Sequence, residues 1–95
     1  MSEAVAEYKS AALMNRYKNG ETALESDILE ENMGLVRASA YRLLKTSYYG
    51  ADFDDLCQIG SIGLLKAIRR FDTERGVVFS TYAVPMIIGE IRRYQ

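Results

Sequence analysis

The sequence predicts an all-α fold, a compact bundle of about four helices. Hydrophobic residues make up 48 % of the chain with a single proline, a balance that suits packed helices better than disorder. Apolar side chains recur at helical spacing in each long segment. Residues that start and stop helices, Asn19-Gly20, Asp52 and Ser80-Thr81, stand where that spacing breaks. The 95 residues make one domain, 1–95, near the lower end of what buries a self-sufficient core, so modest stability is expected.

Taken in order, Ser2 is placed to cap a first helix reaching about Lys18, with Val5, Tyr8, Ala12 and Leu13 on one face. Asn19-Gly20 stops it, because glycine adopts the left-handed C-cap without steric cost. A second helix is predicted from about Glu21 to Thr46 through Leu24, Ile28, Leu29, Leu35, Val36, Ala40 and Leu43, with Asn32 and Gly34 as points of division. Tyr48-Tyr49-Gly50-Ala51 reads as a loop, and Tyr41 as core. Asp52 then caps a third helix to about Phe71, whose first turn carries Asp54 and Asp55, the charge sign a helix N-terminus favours. Asp72 to Gly76 is a turn, and Ser80 or Thr81 is expected to cap a last helix to Tyr94. Pro85 removes an amide donor there, predicting a kink or a start delayed to about Val84.

Composition narrows the chemistry. One cysteine, Cys57, and no histidine leave neither an internal disulfide nor a metal set, so a reduced, metal-free, cytoplasmic protein without cofactor is expected. The N-terminus lacks the basic start and apolar run of a signal peptide, and no stretch is long enough to span a bilayer. Asp54 and Asp55 do not face each other on a helix and have no nucleophile beside them, so an enzyme is not expected. The net charge of −1 hides a gradient. Residues 1–34 carry Glu3, Glu7, Glu21, Glu25, Asp27, Glu30 and Glu31 against three bases, whereas residues 66–95 carry six bases against Asp72, Glu74 and Glu90. The C-terminal third is the polyanion-facing candidate, solvated helix faces being the plainer alternative.

On a helical wheel, Leu56, Gly60, Gly63, Leu64, Ala67, Ile68 and Phe71 form one apolar arc, and the two glycines allow another helix close approach. Opposite lie Asp55, Gln58, Ile62 and Leu65, with Ile59 at the edge. Large apolar residues on that side mark a partner surface, unless the N-terminal helix covers them.

The run Asp54-Asp55-Leu56-x-Gln58-x-Gly60-x-Ile62-Gly63-Leu64, followed by Gly76-x-x-Phe79-Ser80-Thr81-Tyr82-Ala83, resembles region 2 of bacterial sigma factors over about forty residues. The resemblance implies the sigma region 2 type of fold, with 1–31 as N-terminal helices, 32–71 as core and polymerase-binding helices, and 72–95 as promoter-melting turn and recognition helix. It also implies docking of Asp55, Gln58, Ile59, Ser61 and Leu65 on the clamp coiled coil of the largest subunit of core RNA polymerase; the helical wheel adds Ile62. Housekeeping members carry larger, more polar side chains where this chain has Ile59 and Ser61, which implies altered affinity.

A second site is expected from Lys66, Arg69, Arg70, Arg75, Tyr82, Met86, Arg92 and Arg93, since cations track phosphates while a ring stacks an unpaired base. In the family this segment opens the minus-ten promoter element and takes a flipped base of the non-template strand. Tyr82 matches the stacking tyrosine, Phe79 a ring that supports the fold, and Arg92 and Arg93 lie on the helix that reads promoter bases. Where housekeeping members place a tryptophan pair, this chain has Pro85-Met86 and no tryptophan, and Val77 replaces an aromatic. The wording Ala83-Val84-Pro85-Met86-Ile87-Ile88-Gly89-Glu90-Ile91 is similar to the sporulation-type alternative sigma factors of Gram-positive bacteria.

The expected function is therefore a DNA-binding transcription initiation module. The alternative is a protein-interaction module that binds polymerase or an anti-sigma factor without touching DNA. A complete sigma factor continues into further domains, one of which reads the minus-35 element. Three readings stay open: an excised domain, a stand-alone subunit working beside a separate minus-35-binding partner, or a module that occupies polymerase without initiating. The acidic N-terminal helix capped by Ser2 favours a natural short protein or an N-terminal fragment.

Overall fold

The structure, a computed structural model, describes residues 3–46 and 52–94. The Ser2 cap, the side chains of Val5 and Tyr8 and the Tyr48-Tyr49 loop lie outside the described residues. Among the described residues five α-helices follow one another: α1 Glu3–Lys18, α2 Glu25–Glu31, α3 Met33–Thr46, α4 Phe53–Arg70 and α5 Phe79–Arg93. Short 3₁₀ turns, Thr22–Leu24 and Thr73–Arg75, precede α2 and α5, and no strand occurs among the described residues.

Gly20, with φ of 115°, ends α1 as the sequence predicts. Its amide donates to the Tyr17 carbonyl and that of Glu21 to Arg16, both at 3.1 Å, so the last carbonyls of the helix are satisfied. The expected second helix is two. Asn32 leaves helical geometry at φ −106° and ψ 5°, and its side-chain amide donates to the Ile28 carbonyl at 2.8 Å, closing α2 before Met33 opens α3. Asp52 caps α4 as expected, its carboxylate accepting from the Asp55 amide at 2.8 Å.

The core is the apolar arc of α4 and what meets it. Leu56, Leu64 and Ile68 of α4, Val36 of α3 and Ile87 and Ile91 of α5 are fully buried, each stabilising the fold by about 1.5–3 kcal/mol. A Cβ on Gly63 would stand 2.7 Å from the Met86 carbonyl oxygen and 2.8 Å from the Ile87 Cα; one on Gly60 would meet Val36 and Ile87. The two glycines therefore set the approach of α5 and α3 to α4.

Three expectations need correction. First, α5 begins at Phe79 with Val78 as its cap, not at Ser80, Thr81 or Val84, and continues through Pro85. The carbonyl that Pro85 leaves without its ladder bond belongs to Thr81; both residues are exposed, so water can serve it, while Ala83, Ile87 and Ile91 anchor the buried face. Second, Tyr41 is 56 % exposed rather than core. Third, Ala12 is exposed, and α1 anchors through Met14 instead, with Leu13 and Tyr17 packed beside it.

Candidate functional site

The two faces of α4 are as different as the wheel predicts. Leu56, Gly60, Gly63, Leu64, Ala67 and Ile68 are all buried, while Asp55 and Gln58 are exposed and Ile62 is 50 % exposed. Leu65 is half-buried. Ile59 is half-buried too and packs against the core, so it stands at the edge of the outward face. The Ser61 hydroxyl turns back to donate to the Gln58 carbonyl at 2.7 Å. The N-terminal helix leaves Ile62 uncovered. A half-exposed isoleucine between polar Asp55 and Gln58 and apolar Leu65 forms a mixed strip suited to another protein's surface.

A hollow of about 90 Å³ opens where α4 ends and α5 begins, lined by Arg70, Phe71, Asp72, Arg75, Val77 and Tyr82. Phe71 is its buried floor. The Phe79 ring meets Phe71 edge-on at 5.2 Å between centroids, and the Tyr82 ring leans against Phe71 at 5.5 Å and 50°. Tyr82 is thus held by packing on one side while remaining partly open on the other. The turn that brings Arg75 over the hollow depends on Asp72, whose carboxylate accepts from the Glu74 amide at 2.9 Å, and on Gly76 at φ 72°. Val77 and Val78 are 45 % and 51 % exposed beside it. An aromatic floor rimmed by two guanidinium groups can receive a flat ring attached to a phosphate chain.

The eight residues expected to meet DNA separate into two groups. Arg70, Arg75 and Arg92 are exposed and form no ion pair among the described residues, and Tyr82 and Met86 lie half-buried on α5. Lys66, Arg69 and Arg93 are held by carboxylates. Lys66 Nζ donates to both oxygens of Glu90 at 3.0 and 3.1 Å, and Arg93 reaches Glu90 at 3.7 Å. Arg69 donates to both oxygens of Glu25 at 2.9 and 3.0 Å.

Glu25 also accepts from the Tyr17 hydroxyl at 2.6 Å, and Lys18 Nζ donates to the Arg69 carbonyl at 2.9 Å. Hydrogen bonds from Arg69 and Tyr17 lower the Glu25 pKa to about 2, and the Glu25 bond raises that of Tyr17. Sequence reasoning missed Glu25, Glu90 and the floor role of Phe71. Glu90 carries a local signal, three residues before Arg93 on one helix, but Glu25 stands 44 positions from Arg69 and only the fold joins them.

The sealed and open faces of α4 follow the wheel, and α4 leads into an aromatic hollow rimmed by arginines that spacing alone did not foretell. Residues 28–95 match the family described as Sigma-70 region 2. The chain belongs to that family. It is 48 % identical over 82 residues to the RNA polymerase sigma-F factor of Bacillus subtilis (strain 168), covering 86 % of this chain and 31 % of the relative. It is 46 % identical over 82 residues to the RNA polymerase sigma-G factor of Clostridium acetobutylicum, with the same coverage. The sigma-G factor of Bacillus subtilis is 47 % identical over 75 residues, 79 % of this chain and 28 % of that protein. The chain thus spans about a third of the length of these curated relatives, and its likeness is to the sporulation-type members that the Pro85-Met86 wording implied. No helix among the described residues is long and apolar enough to cross a membrane.

Proposed function

We propose that this chain is a sigma factor module that docks on core RNA polymerase through the outward face of α4 and helps recognise and open the promoter minus-ten element. The observation that carries the reading is that face: Asp55, Gln58 and Ile62 stand in water on a helix whose reverse is sealed. Asp55 and Gln58 supply directional contacts to the clamp coiled coil of the largest subunit. Ile59, Ile62 and Leu65 supply apolar area, worth about 25 cal/mol per Å² once covered, while Ser61 keeps a small side chain in the strip.

Opening the element exposes unpaired bases of the non-template strand. One of them stacks on Tyr82 over the Phe71 floor, and Arg70 and Arg75 on the rim neutralise the neighbouring phosphates. Met86 extends the apolar side, and Arg92 and Arg93 at the end of α5 face promoter DNA beyond it. The chain contributes binding rather than catalysis, and it works in the cytoplasm with the polymerase. With a valine at position 77 and no tryptophan wedge, less of the melting energy comes from this module, which fits a strong promoter or a separate minus-35-binding partner.

Carboxylates on Lys66, Arg69 and Arg93 favour a second reading, in which the module binds polymerase or an anti-sigma factor and DNA is never contacted. Tyr82→Ala separates the two. With core polymerase present, it should weaken binding of a single-stranded non-template minus-ten oligonucleotide about 5- to 150-fold, the worth of one stacked base, and leave duplex binding nearly unchanged. Equal loss on both substrates, or none on either, would remove the stacking role.

A further inference from the structure

Tyr82, Met86, Glu90 and Arg93 follow at steps of four, four and three along α5, which keeps all four within one arc of about 80°. The stripe that carries the stacking ring and a promoter-facing cation therefore also carries a carboxylate. A negative group beside the path of a polyanion repels it unless it is neutralised, so its partners decide what it does.

The close approach of α4 and α5 places Glu90. A Cβ on Gly63 would stand 3.1 Å from the Glu90 Cβ, so the glycine lets Glu90 lie against α4, where its side chain is only 14 % exposed. Three residues on, Lys66 meets it, Nζ donating to both carboxylate oxygens at 3.0 and 3.1 Å. Arg93, with a side chain 71 % exposed, comes no nearer than 3.7 Å, beyond hydrogen-bonding length. The pairing is thus uneven: Lys66 is held, and Arg93 is only drawn inward. A lysine and an arginine converging on one anion is also how a phosphate would be received.

We propose that Glu90 is an internal stand-in for nucleic-acid phosphate, a specificity residue that occupies Lys66 and restrains Arg93 and so keeps the backbone affinity of the α5 face low. The inference rests on the reading of α5 as a DNA face. Phosphate contacts carry no sequence information, so withholding two of them lowers indiscriminate binding to duplex. The Tyr82 stack, which needs an unpaired base, is untouched. Arg93, exposed and loosely held, is the cation that an incoming phosphate takes, while Lys66 stays to neutralise the carboxylate. A role confined to tying α4 to α5 predicts no gain in DNA binding when Glu90 is neutralised.

The test is fluorescence anisotropy of the full chain, alone and with core polymerase, on a labelled single strand and on the same sequence as duplex, across a salt series. Glu90→Gln should steepen the fall of log affinity with log salt by about 0.7–1.4 on the single strand and about 0.9–1.8 on the duplex, one or two added phosphate contacts. On the single strand its gain in affinity should therefore be roughly 3- to 7-fold larger at 50 mM salt than at 200 mM. Lys66→Gln leaves the carboxylate to Arg93 alone and should weaken binding to both substrates. Lys66→Met with Glu90→Met replaces the pair by apolar side chains, which spares the fold, and should still free Arg93, steepening the single-strand slope by about 0.7. Glu74→Gln removes the same charge from an exposed position beside the hollow, where Glu74 forms no ion pair among the described residues, and should leave the slope at its wild-type value. A wild-type slope in both Glu90 variants overturns the proposal, as does equal steepening by Glu74→Gln, which would make net charge the cause. If Tyr82→Ala still weakens single-strand binding in that case, the DNA face stands and only the role of Glu90 falls. If neither wild type nor Glu90→Gln binds either substrate at low salt, both fall.

Discussion

The carboxylate of Glu25 grips the guanidinium of Arg69 through two hydrogen bonds, 2.9 and 3.0 Å long, and so fastens α2 to the last turn of α4 beside the hollow. A paired fork of this kind has fixed geometry as well as charge. It orders the segment that carries Arg70 and Phe71, and it pairs a cation that the sequence reading set against DNA. One carboxylate thus serves the fold and restrains the site.

Glu25 has its pKa lowered to about 2 from an ordinary 4.5. A depressed carboxylate contributes stability that is fully present above the unfolded value and is lost as pH falls through the folded one. The contribution should therefore fade between about pH 4.5 and about pH 2. Glu25→Gln, which keeps shape without charge, should lower the thermal midpoint at pH 7 and narrow its gap from wild type across that acid window. A gap that stays constant with pH would show that the pair adds no stability.

Gly63→Ala should destabilise the fold although alanine is the better helix former. The added methyl would meet backbone, the Met86 carbonyl oxygen at 2.7 Å and the Ile87 Cα at 2.8 Å, which cannot turn aside as a side chain can. The expected cost is about 1–3 kcal/mol, a drop in the midpoint of about 4–8 °C for each kcal/mol in a domain of this size. Gly89→Ala, with nothing within 4 Å, should instead stabilise by up to about 1 kcal/mol. Thermal denaturation of the two variants side by side checks the contrast.

Asp52→Ala removes the side chain that accepts from the Asp55 amide and should cost about 1 kcal/mol, read as a lower midpoint in thermal denaturation. Asp52→Asn should keep most of the cap. Because that first turn carries Asp55, the alanine variant should also bind polymerase more weakly, and a matched loss with asparagine would mean that charge rather than the cap matters.

The helical framework was legible because its signals are local. Gly20 and Asp52 act where they stand, and the sealed arc of α4 follows from spacing alone. The division at Asn32 was visible as a candidate. Pro85 misled, since a local rule against proline in a helix gave way to the burial of Ala83, Ile87 and Ile91 and to the water available at Thr81. Tyr41 was expected in the core, but Val36, Ala40 and Leu43 already fill that side of α3. At the candidate site, Tyr82, Arg70 and Arg75 were named from sequence. Their common hollow and the carboxylates that hold Lys66, Arg69 and Arg93 were not legible, because those partners come together only through tertiary packing.

The central claim concerns the open face of α4, and the measurement closest to it is the affinity of this chain for core RNA polymerase with Ile62→Asp as the variant. The change places a charge on a side chain that is 50 % exposed in the free domain, so the thermal midpoint should hold. Affinity should fall by at least about 2 kcal/mol, roughly 30-fold, if Ile62 lies at the centre of the contact. A folded Ile62→Asp chain that binds core polymerase as tightly as wild type would contradict the account.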